Sequence, residues 1–403
     1  MNANIPALLR RRLRIALVTE TYPPEINGVA MTLGRMVAAL RARGHAIQLI
    51  RPRQGREEQG TPIAGYEEVL MRGIAIPGYP ELKMGMPAKG ALCALWRQNR
   101  PDIVHVATEG PLGWSALSAG KALGLPVTSD FHTNFHAYTR HYGIGWLRGL
   151  ANAGLRAFHN RALCTLVPTE ALKNELAADG YQNLQVVARG VDTLLFNPAR
   201  RRQALRQQWG AMGSEPVAVY VGRLAAEKNL PLVVEAFHRM RSAEPRARLV
   251  FVGDGPERAA LERRHEGFVF AGMRTGVDLA EHYASADVFL FPSTTETYGN
   301  VTAEAMASGL AVVAFDHAAA AELIRHGENG LKAPPGDRAR FVELGRQLAT
   351  NPEDIRRLRQ NARQSAEKLD WETIHDRFER VLLSAACKEM KNDATSRLSF
   401  VPD

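Results

Sequence analysis

The sequence predicts an α/β protein of two doubly wound, Rossmann-like lobes facing a cleft. Three observations predict it. Short β-branched or apolar runs alternate with helical patterns almost from end to end, the rhythm of parallel sheets wound by crossover helices. That rhythm falls into two series, separated by RGVDTLLFNPARR (Arg189 to Arg201), where Gly190 and Pro198 interrupt it. A length of 403 residues suits two domains of ordinary size.

The first series predicts strands over Arg14 to Val18, Ala46 to Arg51, Ile103 to Val106, Pro126 to Ser129, Leu163 to Val167 and Leu184 to Val187. Helical patterns lie between them at Val29 to Arg43, Lys89 to Asn99, Pro111 to Leu123 and Thr169 to Asp179, the last with Thr169 as N-cap. Arg189 to Arg201 reads as the interdomain linker. The second series predicts strands over Val217 to Val221, Arg248 to Val252, Phe268 to Phe270, Asp287 to Phe291 and Leu310 to Phe315, with helices including Asn229 to Ser242 and Pro256 to Arg264. Asp337 to Ala386 is mostly helical, and Lys388 to Asp403 is polar enough to be a frayed tail. The domain plan is a basic N-terminal extension (1–12), a first lobe (13–195), a second lobe (196–370), and a C-terminal helix with tail (371–403) that packs back on the first lobe.

Composition narrows the classes. With 45% hydrophobic and 23% charged residues the chain is globular material. No run approaches the roughly 18 to 20 apolar residues of a membrane span. The N-terminal apolar run is shorter than the roughly 7 to 15 residues of a signal-peptide core, and its arginines follow rather than precede it. Cys93, Cys164 and Cys387 are widely spaced and odd in number, which suits packing roles in a reducing compartment. A cytoplasmic protein is expected, so the sequon at Asn300-Val301-Thr302 is a chance match. Net charge is +9, and Arg10, Arg11, Arg12, Arg14, Arg35, Arg41, Arg43, Arg51, Arg53 and Arg56 crowd the first third. Such an excess draws anions of any kind, nucleic acid and anionic lipid included, and a plain solvated surface is an equal reading.

Ligands of open parallel sheets sit beyond the carboxyl ends of the strands. After the first strand, TETYPPEINGVAMTLG turns at Pro23, Pro24 and Asn27-Gly28 before a helix, and Gly28 lets amides at that helix start approach a phosphate. Neither G-x-G-x-x-G nor G-x-x-x-x-G-K-[ST] occurs, which disfavours a dinucleotide dehydrogenase or P-loop enzyme. The second lobe opens with VAVYVGRLAAEKNL, placing Arg223 past the strand end and Lys228 at the lip of the next helix. Two fixed cations can stabilise a departing diphosphate where no D-x-D pattern offers a metal ion; an exposed loop pair is the bland alternative. In FPSTTETYGNVTAEAMASGLAVVAFD (291–316), Glu296 lies in a loop, Gly299 permits a close turn, and the next helix carries Asn300, Val301 and Glu304. Carboxylates so placed accept hydrogen bonds from vicinal sugar hydroxyls, and the helix N-terminus suits phosphate. Two glutamates eight apart are, taken alone, a common surface pair.

VGRLAAEKN, VGDGP and ETYGNVTAEAMASG follow one another at matching places of one lobe. In this the chain resembles the retaining glycosyltransferases of GT-B architecture, in the large family that includes sucrose synthase, bacterial GDP-mannose-dependent mannosyltransferases and plant sulfoquinovosyl transferase. The resemblance spans roughly residues 13 to 385. It implies that Arg223 and Lys228 bind the donor diphosphate, Glu296 the donor sugar and Glu304 the ribose, with Asn300 and Val301 beside the donor. It further implies that Gly28 lies by the phosphates and that His132, in SDFHTNFHAYTRH, lies near the transferred sugar. The implied reaction moves a mannose- or glucose-type hexosyl group, with retention, from a GDP- or UDP-sugar to a lipid or saccharide acceptor. Neither metal nor cofactor is implied, the nucleotide sugar being a substrate, and nucleic acid is not an expected partner. Many members have Glu-Gly-Phe-Gly where this chain has Glu296-Thr297-Tyr298-Gly299, a departure that resembles the branch acting on lipid acceptors and bears on substrate identity.

Further readings stay open at this point. His132, His136 and His141 could share a metal, although no Cys, Asp or Glu joins them at ligand spacing. From about Gly145 onward a helix gathers Trp146, Leu147, Leu150 and Phe158 on one side and Arg148, Asn152 and Arg156 on another; it could lie on an anionic membrane or pack on the first lobe. A sugar-nucleotide 2-epimerase shares the architecture, and a non-catalytic anion-binding protein fits the charge.

Overall fold

The computed structural model describes residues 11–25, 27–55, 57–76, 79–132 and 148–398. They form two compact units. One comprises the described residues up to His132, those from 148 to Ala188 and those from Glu372 onward; the other is Arg189–Trp371.

The first unit holds β1 (Arg14–Val18), β2 (Ala46–Pro52), β3 (Pro62–Ile63), β4 (Tyr66–Met71), β5 (Gly73–Ile76), β6 (Tyr79–Gly85), β7 (Ile103–Val106), β8 (Val127–Asp130), β9 (Cys164–Val167) and β10 (Leu184–Val186). Its main sheet runs β10-β9-β8-β7-β1-β2-β4-β3, parallel except where β3 pairs with β4. Strands β5 and β6 make a separate antiparallel ribbon. The helix Gly28–Ala42 begins where Asn27 accepts a hydrogen bond from the Ala30 amide at 2.9 Å. It buries Ala30, Leu33, Met36, Val37 and Leu40, the inward stripe of an amphipathic helix. Thr169 caps the helix Glu170–Ala178 as its sequence predicts.

Strands β3 to β6 have no counterpart in the sequence reading. Of these, β4 joins β2 through polar side chains as well as through Val69 and Met71, which pack on the core: Gln48 on β2 donates to Glu67 on β4 at 2.9 Å, and Arg51 donates to Glu68 at 2.7 Å. Arg51 also pairs with Glu58, and Arg43 with Glu372, Asp376 and Glu379. Part of the basic excess of the first third is thus neutralised inside the fold. Arg10 and Arg56 lie outside the described residues.

The helix Trp371–Leu398 lays Glu379 against Arg43 (2.6 Å) and against His45 Nε2 (2.8 Å). Since His45 Nδ1 accepts from the Leu13 amide at 3.0 Å, its Nε2 is the donor to Glu379. Phe378 stands edge-on to His105 at 5.1 Å. The stretch from Lys388, expected as a frayed tail, instead continues this helix to Leu398. The basic helix expected near Gly145 spans Arg148–His159, where Leu155 and Phe158 are buried and Phe158 meets Trp114 edge-on at 5.1 Å. Its apolar side is, at those two positions, core. Trp146 and Leu147, together with His136 and His141, lie outside the described residues, as do the side chains of Arg148 and Leu150.

The second unit holds β11 (Val217–Val221), β12 (Arg248–Val252), β13 (Val269–Gly272), β14 (Val288–Phe291), β15 (Ala311–Phe315) and β16 (Leu331–Ala333). Its parallel sheet runs β13-β12-β11-β14-β15-β16, the 3-2-1-4-5-6 order of a dinucleotide-binding fold. Every residue of β11 is buried, as a strand covered by helices on both faces requires. The segment expected as a linker is part of this unit: Val191 and Phe196 lie in its core, and the Val191 amide donates to Leu369 O at 3.2 Å. Apolar Val191, Leu195 and Phe196 outweigh the breaking effect of Gly190 and Pro198. Among the described residues no helix is long and apolar enough to cross a membrane.

Candidate functional site

In the second unit the strand order reverses between β11 and β14, which places the loops after these two strands side by side at the carboxyl edge. Arg223 follows β11. A short turn, Ala226–Lys228, and a left-handed Asn229 (φ 55°) then deliver Lys228 ahead of the helix Leu230–Ala243. Glu296 follows β14. The two meet: Lys228 Nζ lies 2.5 Å from Glu296 Oε1, and the Ser293 hydroxyl donates to the same oxygen at 3.0 Å. Arg223, a partly exposed side chain, lies 3.9 Å from Glu227. The loops after β11 and β12 press together so closely that a Cβ on Gly253 would sit 2.0 Å from Gly222 O, leaving backbone groups to line that edge.

Gly299 has φ 85°, and a side chain there would press on Glu296 Cγ at 3.2 Å. The turn it makes starts the helix Asn300–Ala307, with Asn300 and Val301 as its first two residues. Amides of a first helical turn lack intrahelical acceptors and present partial positive charge. Glu304, one turn on, accepts from the Tyr283 hydroxyl at 3.0 Å. His317 Nε2 donates to Glu296 O at 3.1 Å, and the Tyr298 hydroxyl to Arg189 O at 3.2 Å. The extra oxygen of Tyr298 therefore finds a partner inside its own unit.

In the first unit the reversal lies between β1 and β7. Glu20, after β1, is half-buried there. Its carboxylate accepts from the amides of Gly85 (2.5 Å) and Leu112 (3.0 Å), and its own amide donates to Thr108 at 2.8 Å. Burial pushes its carboxyl up, against the lowering effect of those amides. Gly28 is the first residue of its helix, and Asn27 also donates to Thr21 at 2.7 Å. His132 stands just past β8, its Nε2 2.9 Å from Asp130 Oδ2; His105 Nε2 lies 3.5 Å from the same oxygen. Burial would raise the Asp130 carboxyl, but the two imidazoles outweigh it and hold the group well below the usual range. Among the described residues no group of three or more His, Cys, Asp or Glu could hold a metal ion.

Comparison with known proteins bears on both units. Residues 26–194 match the model described as Glycosyltransferase Family 4, and residues 215–351 that of Glycosyl transferases group 1. A GDP-mannose-dependent alpha-mannosyltransferase of Mycobacterium tuberculosis is 35% identical over 81% of this chain and 85% of its own length. The chain belongs to the family 4 glycosyltransferases. The sulfoquinovosyl transferase SQD2 of Arabidopsis thaliana is 31% identical to this glycosyltransferase, over 94% of this chain and 75% of its own length. Sucrose-phosphate synthase of Thermosynechococcus elongatus shares the fold, with a TM-score of 0.74, 19% identity, and coverage of 92% of this chain and 98% of its own. That likeness establishes the GT-B architecture that the sequence resemblance implies.

The sequence reading of the glycosyltransferase names Arg223, Lys228, Glu296 and Glu304, and the fold brings Lys228 and Glu296 into contact. It misses the groups that hold them. Ser293 precedes Glu296 by three residues and could have been found; Tyr283, His317 and Asp130 lie on other elements, and only the sheet order reveals them.

Proposed function

We propose that this glycosyltransferase moves a mannose- or glucose-type hexosyl group from a GDP- or UDP-sugar to a lipid or saccharide acceptor, with retention and without a metal ion. The observation that carries the reading is the Lys228–Glu296 pair at the strand-order reversal, beside a helix N-terminus and Glu304. Lys228 and Arg223 take the developing charge of the diphosphate. Glu296 binds the sugar hydroxyls and Glu304 those of the ribose, while the amides of Asn300 and Val301 face the anionic part of the donor. In the first unit, Gly28 opens a helix start to phosphate and His132, braced by Asp130, serves the transferred sugar.

The named relatives favour mannose first, and GDP-mannose is the donor to try before UDP-glucose. Relatives include alpha-monoglucosyldiacylglycerol synthases, which supports a lipid acceptor and work at the inner face of the cytoplasmic membrane. Anionic lipid would there meet exposed arginines of the first unit such as Arg12 and Arg53. A thermal-shift panel of nucleotide sugars, followed by transfer assays with diacylglycerol and with mannosides in the presence of EDTA, tests the reading. Full loss of activity with chelator would remove Arg223 and Lys228 from the leaving-group role. Donor isomerisation without acceptor would make the chain an epimerase, and no response to any nucleotide sugar would leave only anion binding.

A further inference from the structure

Glu304 needs a fixed orientation if it is to accept hydrogen bonds from two neighbouring hydroxyls, because a freely rotating carboxylate loses entropy on each binding event. The structure supplies the restraint from a different helix. Tyr283, near the end of the helix Gly276–Ser285, is fully buried and donates its hydroxyl to Glu304 Oε2 at 3.0 Å. Its ring cannot swing away. Phe196 stands edge-on to it at 5.7 Å and Phe289 packs at 6.0 Å.

Phe196 belongs to RGVDTLLF, the segment that reads as a linker in sequence. That segment folds on itself: Asp192 accepts from the amides of Leu194 (3.2 Å) and Leu195 (2.9 Å), and the Phe196 amide donates to Asp192 O at 2.8 Å. Arg363 then donates to Phe196 O at 2.9 Å and to Ala307 O at 2.8 Å. Ala307 ends the helix that carries Glu304, so one guanidinium ties this segment to that helix. Burial and the Glu304 charge push the Tyr283 hydroxyl well above its ordinary value, so it remains a donor at any working pH.

We infer that Tyr283 is the positioning residue for the nucleotide ribose, aligning Glu304 through its hydroxyl while the Asp192–Phe196 turn fixes its ring. The inference rests on the reading of Glu304 as the ribose ligand. The chemistry recognised is a ribose 2′,3′-diol, independent of base and sugar.

The experiment compares the full-length wild type, Tyr283→Phe and Glu304→Ala by calorimetric titration with GDP, UDP and their 2′,3′-dideoxy counterparts. Tyr283→Phe removes one oxygen and keeps the ring contacts. The ribonucleotide should bind the variant about two- to tenfold more weakly, the span expected for one hydrogen bond, while the dideoxy form binds both proteins equally. In turnover, donor KM should rise by the same factor with kcat unchanged. An equal loss for both nucleotides, or no loss for the ribonucleotide, would overturn the assignment of Tyr283. A wild type that does not distinguish ribo from dideoxy forms, with Glu304→Ala equally indifferent, would instead overturn Glu304 as the ribose ligand, and the inference with it.

Discussion

Replacing Glu296 by Gln should tighten the binding of a bare nucleoside diphosphate while slowing sugar transfer. The Lys228 ammonium lies 2.5 Å from Glu296 Oε1, and the two side chains are only 15% and 20% exposed. At that separation and an effective dielectric constant of about 20, the gross attraction is about 6 to 7 kcal/mol. Desolvation of both charges and loss of side-chain freedom cancel most of it, leaving about 1 to 2 kcal/mol net. A diphosphate that recruits Lys228 has to compete with this pair. Glutamine keeps the shape and an acceptor for the Ser293 hydroxyl, yet removes the charge. The released 1 to 2 kcal/mol corresponds to about a five- to thirtyfold lower Kd for GDP or UDP. A sugar nucleotide gains the same electrostatic benefit but loses the carboxylate on its sugar, so kcat falls. Titration calorimetry of wild type and Glu296→Gln at two salt concentrations measures the first effect, and initial-rate assays the second. An unchanged or weakened diphosphate affinity would refute the idea that Glu296 and phosphate share Lys228.

Other expectations follow from neighbouring geometry. Asp287, buried under Arg201, Arg206 and Arg359, would have its carboxyl raised by burial alone, but the three guanidiniums hold it below the usual range. Because the folded value is the lower one, its stabilisation is complete above the unfolded value of about 3.9 and is lost as pH falls through the folded value; thermal denaturation should show an acid limb below about pH 4. Asp287→Asn should cost about 3 to 5 kcal/mol and flatten that limb, and an unaltered melting temperature would remove Asp287 from the core's charge balance. Asp130→Asn should lower kcat with little change in Kd for GDP or UDP, since it removes the carboxylate beside His132 and leaves the residues of the second unit unchanged; a Kd effect as large as the kcat effect would contradict this. Tyr298→Phe should cost about 1 kcal/mol in unfolding free energy for the lost bond to Arg189 O and leave donor KM unaltered, as paired denaturation and kinetic measurements would show.

Strands buried on both faces were legible because apolar runs such as VAVYV leave little choice of structure. The polar edge was not: β4 reads YEEVLM, and its glutamates look like surface until Gln48 and Arg51 of the adjoining strand are seen to bond them. The linker reading marks where the second unit begins but misses that the segment packs into it, since Gly190 and Pro198 signal a break whereas the burial of Val191 and Phe196 depends on partners more than eighty residues away, such as Tyr283. The candidate site divides along the same line. Glu296 and Glu304 announce themselves by spacing within one loop and helix, and Lys228 by its place after a strand. What orients them comes from elsewhere in the chain: Tyr283 on the preceding helix, His317 after the next strand, and Arg363, 56 residues beyond the Ala307 it bonds. A site built at a strand-order reversal collects side chains from loops that are distant in sequence. The groups proposed to meet substrate can therefore be read locally, while those that hold them in place become visible only once the order of the sheet is known.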